Sequence, residues 1–547
     1  MMTKVFQRID KSYWRAQFKR LSVLLIAIWC LVGLTTTSAQ PPENQPEAPI
    51  VIAQEQAPAP SATPVDYEHP EVDYVKASEH EDPLEDYRGS GHSNTTTKIF
   101  FGILLALIIG VMSAEVVDKS IVTMLGAITC LAFAYSPLFE LLRHDSGGHG
   151  HPPFYAYVVD WSTIGVIIGT SIFVEIASRS GIFTWSALKL TKMSKGDPYR
   201  LLVLYSVLTV LFSAFLNNVT AMIIVGSLTV VSCQRLELKV LPYLFIEGLL
   251  TNVGGLLTLI SSIPNIIVGN TAGISFAWFF VIASPYVVLA TWVTVLMGKR
   301  KFDTIEKLES QEAIKEAQER VEEFDENEVV TDRKFFVIAW LGMIAVILGF
   351  ALQSYLPVLS DMGLEAVALG AAVLFLLLFA PHKVEEALNT VEWSLVLFFA
   401  SLFVIIGVME LAGVLEAIGD GLEVLLGLGG MLATAAVTWS AAIASSVTDN
   451  IPLAVVLAKI LSLKGADPNS SYWWAVIFGA NLGGNITPIG SASTVVAMTV
   501  IKKQNVELSF LGFVKMALPF AFVQLVLATL YLGLLSGIGA VLNGLHP

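Results

Sequence analysis

Residues 481–494 read NLGGNITPIGSAST and repeat the pattern of residues 252–265, NVGGLLTLISSIPN. Each stretch interrupts an apolar segment with Gly, Ser, Thr and Pro, residues that favour a helix that stops, opens into a loop and restarts. Non-helical backbone at membrane depth is tolerated only where protein or a water-filled cavity satisfies its hydrogen bonds. The pair therefore predicts two broken helices that face the interior of a membrane protein.

These two stretches belong to a longer internal repeat. Three pairs of short motifs share its register: VDWS (159–162) with VEWS (391–394), LNNVT (216–220) with TDNIP (448–452), and TNVGG (251–255) with ANLGG (480–484). The members of the first two pairs lie 232 residues apart, and those of the third lie 229 apart. Such a register indicates two copies of one membrane unit, an architecture typical of secondary transporters.

The composition also places the chain in a membrane. Of its 547 residues, 54% are hydrophobic and 14% are charged, and its mean hydropathy is +0.69. Soluble domains carry about 45–50% apolar and about 25% charged residues. This composition excludes a soluble enzyme, a nucleic-acid-binding protein and a disordered scaffold, because each needs more polar surface. The lipid bilayer is therefore a predicted partner, and nucleic acid is not.

The first 97 residues differ from the rest. Residues 1–39 have a basic start, an apolar run and a small-residue stretch, which is typical of a signal peptide or an N-terminal anchor. Residues 40–97 are acidic and Pro-rich, and residues 41–97 hold twelve acidic against two basic side chains. Such a segment buries too little apolar surface to fold, so it is predicted to be a disordered extracytoplasmic tail. The expected localisation is the bacterial plasma (inner) membrane.

Apolar runs long enough to cross a bilayer, about 17–25 residues each, recur from residue 98 onward. The predicted segments are 98–114, 120–138, 161–178, 200–232, 240–270, 276–297, 335–355, 363–380, 393–412, 432–463, 471–501 and 510–536. A charged stretch divides them into two blocks. The predicted domains are transmembrane repeat 1 (98–298), a charged cytoplasmic connector (299–334) and transmembrane repeat 2 (335–540).

Charge sets the predicted orientation of the two repeats. After span 161–178, the first repeat is basic, and the positive-inside rule assigns this segment to the cytosol. The equivalent segment of the second repeat contains Glu416, Asp420 and Glu423 without a basic residue, so it is assigned to the outside. The predicted fold is an all-α multi-pass membrane protein of two inverted-topology repeats with discontinuous helices and re-entrant segments.

Polar residues at equivalent interruptions of both repeats define the predicted transport site. For a single motif, close helix packing explains Gly, Ser and Asn as well as binding does. Paired breaks favour binding, because they leave half-helix ends and free backbone groups that hold an ion. The predicted substrate- or ion-binding residues are Asn217, Asn218, Asn252, Thr258, Ser261, Ser262, Asn265, Asp449, Asn450, Asn481, Thr487, Ser491, Ser493 and Thr494.

Asp449 is the sharpest candidate among them. An ionised carboxylate at bilayer depth costs at least about 2.5–3.5 kcal/mol, so it should face the interior and hold a cation or a proton. Glu175 and Glu247 also lie within apolar sequence and rank second. Glu365 and Glu410 lie near span ends and suit the membrane interface.

Neither a resident metal nor a cofactor is predicted. The three cysteines indicate no disulfide framework or zinc site. His144, His149 and His151 could bind a metal, but a solvated outer loop explains them better because no carboxylate-rich or thiol partner is near. An intramembrane aspartyl protease needs two facing carboxylates, and Asp449 has no evident intramembrane Asp partner in the first repeat. The chain is therefore predicted not to be an enzyme.

Five blocks, in this order along the chain, resemble one family: FSAFLNNVTAMI, TNVGGLLTLISSIPNIIVG, VEWSLVLFFASLFV, ASSVTDNIPLAVV and GANLGGNITPIGSASTVV. They are similar to the ion-transporter superfamily, in the group of arsenite permeases, NhaD sodium/proton antiporters and the melanosomal P protein. The resemblance covers about residues 98–540. It implies a citrate-transporter-like fold of inverted repeats with a central substrate site.

The sequence departs from that family at several polar positions. Asn217 stands where relatives often have Asp, Arg179 where they have an acidic residue, and Ser262 where they have Asp. Thr494 stands where an Asn is usual. A site with fewer negative charges loses proton-binding capacity, which bears directly on sodium/proton exchange.

Three functions stay open. The first is an ion-coupled secondary transporter of small ions that uses Na⁺ or H⁺ as coupling ion, with sodium/proton exchange through Asp449. The second is an anion carrier for a carboxylate or an oxyanion, which a less acidic site with half-helix N-termini suits. The third, from a different class, is an ion channel. The expected partners are the bilayer and a small inorganic ion or small organic anion, and a homodimer stays open.

Overall fold

A computed structural model describes residues 84–91, 93–113, 116–143, 152–302, 311–322 and 326–544. The predicted signal segment and most of the predicted acidic tail lie outside the described residues. The chain divides into two compact units, of which the smaller comprises residues 1–92 and 131–149 and the larger comprises residues 93–130 and 150–547.

The smaller unit contains short paired segments in its described part. A 3₁₀ turn at Glu85–Tyr87 precedes an antiparallel bridge between Arg88 and Leu142. Backbone hydrogen bonds of 2.9–3.0 Å join residues 87–91 to residues 140–143. The prediction of a disordered tail is therefore wrong over these last residues. Composition could not show this, because the partner segment lies about fifty residues further along the chain.

The chain beyond the tail is helical, because its long apolar segments satisfy their backbone hydrogen bonds within themselves. The first half contains α1 (Thr95–Ser113), α2 (Lys119–Ala134), α3 (Phe154–Tyr157), α4 (Trp161–Ser178), α5 (Ile182–Ser194), α6 (Pro198–Ser213), α7 (Asn218–Arg235), α8 (Val240–Gly254), α9 (Ile263–Thr271) and α10 (Phe276–Lys301). Helix α11 (Gln311–Glu322) lies in the predicted connector.

The second half contains α12 (Arg333–Leu352), α13 (Pro357–Phe379), α14 (Val384–Leu388), α15 (Trp393–Leu411), α16 (Val414–Leu426), α17 (Gly430–Val447), α18 (Asn450–Leu463), α19 (Ser471–Gly483), α20 (Ala492–Lys503) and α21 (Phe510–Gly544). A 3₁₀ turn, Gln353–Tyr355, joins α12 to α13. The helical boundaries follow local signals: α1 begins three residues before the predicted span, because Asn94 Oδ1 accepts a hydrogen bond from Thr97 N at 2.9 Å.

Eight described helices are long and apolar enough to cross a membrane: α1, α4, α10, α12, α13, α15, α17 and α21. Only 11% of the most apolar stretch of α12 is buried, and its exposed side chains include Leu341 and Leu348. A helix that exposes apolar side chains in this way faces lipid. These helices confirm the predicted all-α multi-pass membrane protein.

The internal repeat is visible in matched local structure. Helices α4–α10 of the first half correspond in order to α15–α21 of the second. Trp161 Nε1 donates to Ala156 O at 3.0 Å, and Trp393 Nε1 donates to the equivalent Leu388 O at 3.0 Å. The glycines that begin α5 and α16, Gly181 and Gly413, both have left-handed backbones, with φ of 82° and 72°. The opposite orientation of the two repeats in the membrane stays a prediction.

The four predicted interruptions separate helices at equivalent places. Residues 214–217 divide α6 from α7, and residues 448–449 divide α17 from α18. Longer loops, residues 255–262 and 484–491, divide α8 from α9 and α19 from α20. Each half therefore contributes one short break and one loop that joins two half-length helices.

Close packing of glycine holds the loop-bearing helices against their neighbours. A Cβ atom added at Gly254 in α8 would lie 2.7 Å from Val210 Cα in α6. The equivalent atom at Gly483 in α19 would lie 2.3 Å from Ala442 O in α17. Both helices can approach this closely because these positions carry no side chain.

Candidate functional site

The first-half break is built around two asparagines. Asn217 precedes α7 and caps it, since its Oδ1 accepts a hydrogen bond from Thr220 N at 2.7 Å. Asn218 begins the helix and turns toward α8: its Oδ1 accepts from Ser213 Oγ at 2.7 Å, and its Nδ2 donates to Asn252 Oδ1 at 3.3 Å. The break therefore positions one amide for capping and a second for contact with α8.

A reciprocal pair of hydrogen bonds joins the two halves. Ser262, which precedes α9, donates from Oγ to Asn481 Oδ1 in α19 at 2.7 Å. Ser491, which precedes α20, donates from Oγ to Asn252 Oδ1 in α8 at 2.9 Å. Ser262 corresponds to Ser491 in the repeat, and Asn252 corresponds to Asn481. All four residues are buried, so each loop is fixed to the opposite half by the same contact.

The loops themselves are held by equivalent hydroxyl and amide groups. Thr258 Oγ1 donates to Ala214 O, and Thr487 Oγ1 donates to the equivalent Ser446 O at 2.6 Å. Other predicted residues bond backbone carbonyls of their own loops: Ser261 and Asn265 bond Gly255 O and Thr258 O, and Thr494 bonds Pro488 O and Ser491 O. Most predicted site residues therefore shape the loops, and fewer are free to touch a substrate.

The network extends through side chains that the sequence did not single out. Asn485 Oδ1 accepts from Asn252 Nδ2 at 2.8 Å, and its Nδ2 donates to Gln524 Oε1 at 2.8 Å. Gln524 Nε2 donates in turn to Thr294 Oγ1 at 2.9 Å. Ser493, a residue of the predicted site, also donates from its Oγ to Asn252 Oδ1 at 3.1 Å. Asn485 lies inside residues 481–494, so its polar side chain could have marked it as a candidate site residue.

The carboxylate at the second-half break, Asp449, is already paired in this structure. Asp449 precedes α18 and caps it through Ile451 N at 3.2 Å. Its Oδ2 also lies 2.6 Å from Lys119 Nζ, at the start of α2, and its side chain is 12% exposed. In this structure the Lys119 ammonium is thus the charge partner of Asp449, and the binding of an exchangeable cation or proton at Asp449 stays a prediction. Asn450, the next residue, is buried in the first turn of α18.

A cavity opens beside the first-half break. Its wall includes the predicted residues Asn217 and Ser261, together with Thr220, Glu175 and Glu392. Asn217 Nδ2 donates to Glu392 Oε1 at 3.2 Å, so the capping amide also orients this carboxylate. Glu392 belongs to the VEWS motif (391–394), yet no sequence pattern indicates that it contacts Asn217. Of the residues in the two Asx motifs, Asn217 is the one that lines this cavity.

The other carboxylates have different surroundings. Glu175 Oε1 lies 3.3 Å from Arg179 Nε. Nη1 of the same guanidinium lies 2.8 Å from Glu386 Oε1. Glu247 is fully buried in α8, one helical turn from Thr251, and does not line the cavity. Glu410, expected at the membrane interface, has only 8% of its side chain exposed and lies 3.1 Å from Lys459 Nζ. Glu410 therefore has a charge partner in the lysine of α18, and its position at the membrane interface stays a prediction.

Among the described residues, no group of three His, Cys, Asp or Glu side chains is arranged to hold a metal ion. His144, His149 and His151 lie outside the described residues. The site is thus composed of neutral amides and hydroxyls at its centre and one carboxylate paired with lysine. Two further carboxylates lie at the cavity, Glu392 bonded to an amide and Glu175 paired with Arg179.

Comparison with known proteins supports this architecture. Residues 103–477 match the citrate transporter family, CitMHS. An uncharacterized transporter of Mycobacterium tuberculosis is 29% identical over 430 residues, which are 77% of this chain and 95% of that protein. The 46 kDa membrane protein of Mycobacterium leprae is 30% identical over 393 residues, which are 70% of this chain and 88% of that protein.

Two further comparisons concern the predicted group and the fold. The human P protein is 26% identical over 524 residues, which are 81% of this chain and 60% of that protein. This match confirms the resemblance to the P-protein group. The Alcanivorax borkumensis YdaH transporter, whose crystal structure reveals an unusual topology, shares the fold with a TM-score of 0.52 and 13% identity, over 81% of this chain and 98% of that chain.

The family match includes both short breaks and helix α8, which carries Asn252 and Glu247. The family and the named transporters among these relatives point away from an enzyme. Because the match extends over more than half of the sequence and runs from α1 into α19, the chain belongs to the citrate transporter family, CitMHS, and is a multi-pass membrane transporter.

Proposed function

We propose that this protein is a sodium-coupled secondary transporter that exchanges Na⁺ for H⁺. The observation that carries the proposal is the cavity beside the first-half break, where Glu392 meets Asn217 and where Thr220 and Ser261 add hydroxyl oxygens. Hard cations prefer carboxylate, amide and hydroxyl oxygens. In the described residues Glu392 has no lysine or arginine within ion-pair distance, unlike Glu175, so its negative charge is available to a cation.

The Asp449–Lys119 pair gives the exchange a second charged element. A sodium ion that approached Asp449 would compete with the Lys119 ammonium for the same oxygen. Glu392 replaces Asp449 as the first candidate for sodium, while Asp449 becomes a group whose partner changes during transport. In this assignment Glu392 binds sodium beside the first-half break, and Asp449 at the second-half break changes its partner, so both breaks take part in transport.

Purified protein in proteoliposomes tests the proposal directly. With a pH-sensitive dye inside, an inward Na⁺ gradient should make the interior alkaline, and a K⁺ gradient of equal size should not. Glu392→Gln should raise the Na⁺ concentration for half-maximal exchange about tenfold, which corresponds to about 1.4 kcal/mol of binding free energy. Glu416→Gln is the control, because Glu416 is exposed, pairs with Lys98 and does not line the cavity. Exchange that is equally fast in K⁺ would contradict sodium coupling.

An anion carrier is the second candidate, and a specific feature favours it. Ser262 and Ser491 begin α9 and α20, and neither side chain caps its own helix, since both donate across to the opposite half. Helix N-termini attract anions, and the family description names citrate. Uptake of labelled citrate that depends on a Na⁺ gradient, without Na⁺-driven proton movement in the absence of citrate, would favour this candidate over exchange.

The bacterial plasma membrane is the location we propose. Multi-pass helices require a bilayer, and the mycobacterial relatives are consistent with a bacterial cell membrane. Fractionation of a cell that expresses the full chain with a C-terminal tag tests this, and recovery in another membrane would contradict it.

A further inference from the structure

Glu247 is a buried carboxyl group that the proposed sodium site does not use. It is 0% exposed, and its Oε1 accepts a hydrogen bond from Thr229 Oγ1 in α7 at 2.6 Å. Its Oε2 is buried and has no hydrogen-bond partner among the described residues. Buried polar atoms are nearly always paired, so an orphaned carboxyl oxygen requires an explanation.

The surroundings of Glu247 favour a neutral group. Three titratable side chains interact with it, Tyr205 from α6, Cys233 from α7 and Tyr243 from α8, and none of these is a cation. From α20, Ala497 packs against the neighbouring Gly248. An ionised carboxylate without a cation is very costly in such a place. The uncharged carboxyl is therefore the favoured form of Glu247 in these surroundings.

A cluster of hydroxyl groups lies near this carboxyl. Thr229 and Ser232 lie one turn apart on the same face of α7. Ser232 Oγ lies 2.8 Å from Tyr205 OH, and Tyr205 OH lies 2.9 Å from Thr191 Oγ1 in α5. Ser232, Tyr205 and Thr191 therefore form a hydrogen-bonded cluster of hydroxyl groups one helical turn from Thr229. This cluster reaches the segment of α5 that carries Lys192, which is predicted to face the cytosol.

A second orphaned atom lies at the same level. Tyr243 OH donates to Pro198 O, and Ser213 Oγ donates to Thr251 O, so α6 and α8 run in the same direction. Glu247, midway between Tyr243 and Thr251, is thus level with Ser206, whose buried Oγ also has no partner in the described part of the chain. Two unsatisfied oxygens therefore lie at one height between these helices.

In the other direction, Glu247 is connected to the first-half break. Thr251 lies one turn along α8, and its Oγ1 donates to Glu247 O at 2.7 Å. The carbonyl of Thr251 accepts from Ser213, which also bonds Asn218. The charge state of Glu247 can therefore act on the break through a single turn of helix.

The second half shows that the fold itself does not need this carboxyl. Val476 occupies the position equivalent to Glu247, and Leu461 occupies that of Thr229. Helices α17 and α19 nevertheless pack in the same way as α6 and α8, with Ser445 Oγ donating to Ala480 O at 2.6 Å as Ser213 donates to Thr251 O. A costly polar group present in one copy of a repeat and absent from the other is a functional feature.

We propose that Glu247 is the proton-binding site of the exchange cycle. One proton leaves the Glu247 carboxyl for water and leaves a carboxylate behind, and one proton returns from water to restore the carboxyl. The inference rests on the proposed exchange function for its transport role, but the binding of a proton at Glu247 can be measured without transport.

Infrared difference spectroscopy of the purified protein in lipid gives the first test. A pH step should reveal a C=O band from a protonated carboxyl that is missing in Glu247→Gln, while Thr438→Val, a buried hydroxyl change in the second half, should leave the band in place. Thr229→Val should shift the band, because it removes the hydrogen bond to Oε1. An identical band in wild type and Glu247→Gln overturns the assignment.

Transport gives the second test. In proteoliposomes, Glu247→Gln should lose at least tenfold of the Na⁺-driven pH change while it still exchanges labelled ²²Na⁺ for unlabelled Na⁺. Proton movement equal to that of the wild type would overturn the role of Glu247. If the wild type itself moves no protons with Na⁺, the proposed exchange fails, and a carboxyl band that is absent from Glu247→Gln would still establish the proton-binding site.

Discussion

Ser262 Oγ lies 2.7 Å from Asn481 Oδ1, although the two residues are 219 positions apart and belong to different copies of the repeat. The same contact recurs with the copies exchanged, from Ser491 to Asn252. Each loop is therefore anchored by a helix of the other half. A movement of one loop must alter the helix that carries the opposite loop, which is a direct route for coupling the two halves during transport.

The reciprocal contact predicts a stability cost. Asn481→Ala removes the acceptor of Ser262 and the donor to Asn265 Oδ1, and each buried group left unpaired costs about 1–3 kcal/mol. The melting temperature of the protein in detergent should therefore fall clearly. Thr499→Ala is the control, because that exposed hydroxyl bonds only the carbonyl of Val495 in its own helix. Equal melting temperatures for the two variants would show that the contact contributes little.

Asn252→Ala should cost more than Asn481→Ala. The Oδ1 atom of Asn252 accepts from Asn218, Ser491 and Ser493, and its Nδ2 donates to Asn485. More buried groups lose a partner, so the melting temperature should be the lower of the two. The opposite order would mean that the surrounding hydroxyls find other partners.

The Lys119–Asp449 pair predicts an energetic coupling that a double-mutant cycle can measure. The two side chains are 30% and 12% exposed, between the surface and the buried regimes, so Lys119→Met and Asp449→Asn should couple by about 1–3 kcal/mol in unfolding free energy. Asp449→Asn should also stop coupled flux in proteoliposomes while the protein still inserts. Normal flux with unchanged pH dependence would leave the pair a purely structural role.

Opposite orientation of the repeats can be tested by cysteine labelling. Met193→Cys in α5 should react with a membrane-impermeant reagent from the cytosolic side, and Val424→Cys in α16 should react from the outside. Both positions are exposed, and native Cys130 and Cys233 are buried, so their background should be low. Labelling of both positions from the same side would establish a parallel repeat.

The contacts of Glu326, near the end of the connector, predict that the stability of the protein depends on pH. The hydrogen bond from Lys192 Nζ, at 2.5 Å, lowers the pKa of Glu326 from its usual value of 4.5 to about 2, and Lys189 adds a second contact at 3.1 Å. A carboxyl whose pKa is lower in the folded state contributes stability above pH 4.5, and this contribution is lost as the pH falls toward 2.

Glu326→Gln should therefore melt at a lower temperature than the wild type at neutral pH, with a loss of about 1–3 kcal/mol, and the difference should shrink below pH 4.5. Thermal unfolding across this pH range measures it. Glu316→Gln, an exposed residue of the same connector paired with Arg320, serves as the control and should show no such trend. A difference that does not depend on pH would contradict the ionic origin of the effect.

The helical class, the repeat and the four interruptions could be predicted from the sequence because all three depend on local signals. Apolar length decides which segments can cross a bilayer, and Gly, Pro, Asn and Asp decide where a helix ends. The helices α5 and α16 between the spans were not predicted as elements, because their mixed charged and apolar composition fits both a loop and an amphipathic helix.

The sequence by itself thus determined that this is a membrane protein with two related halves and that polar residues interrupt its helices at matched places. Only the tertiary structure decided which polar side chains contact each other. Asn217 meets Glu392 across 175 residues, and Asp449 meets Lys119 across 330. No local pattern carries such pairings, because they arise when helices pack and bring distant chain segments within hydrogen-bond distance, where burial makes each partner necessary.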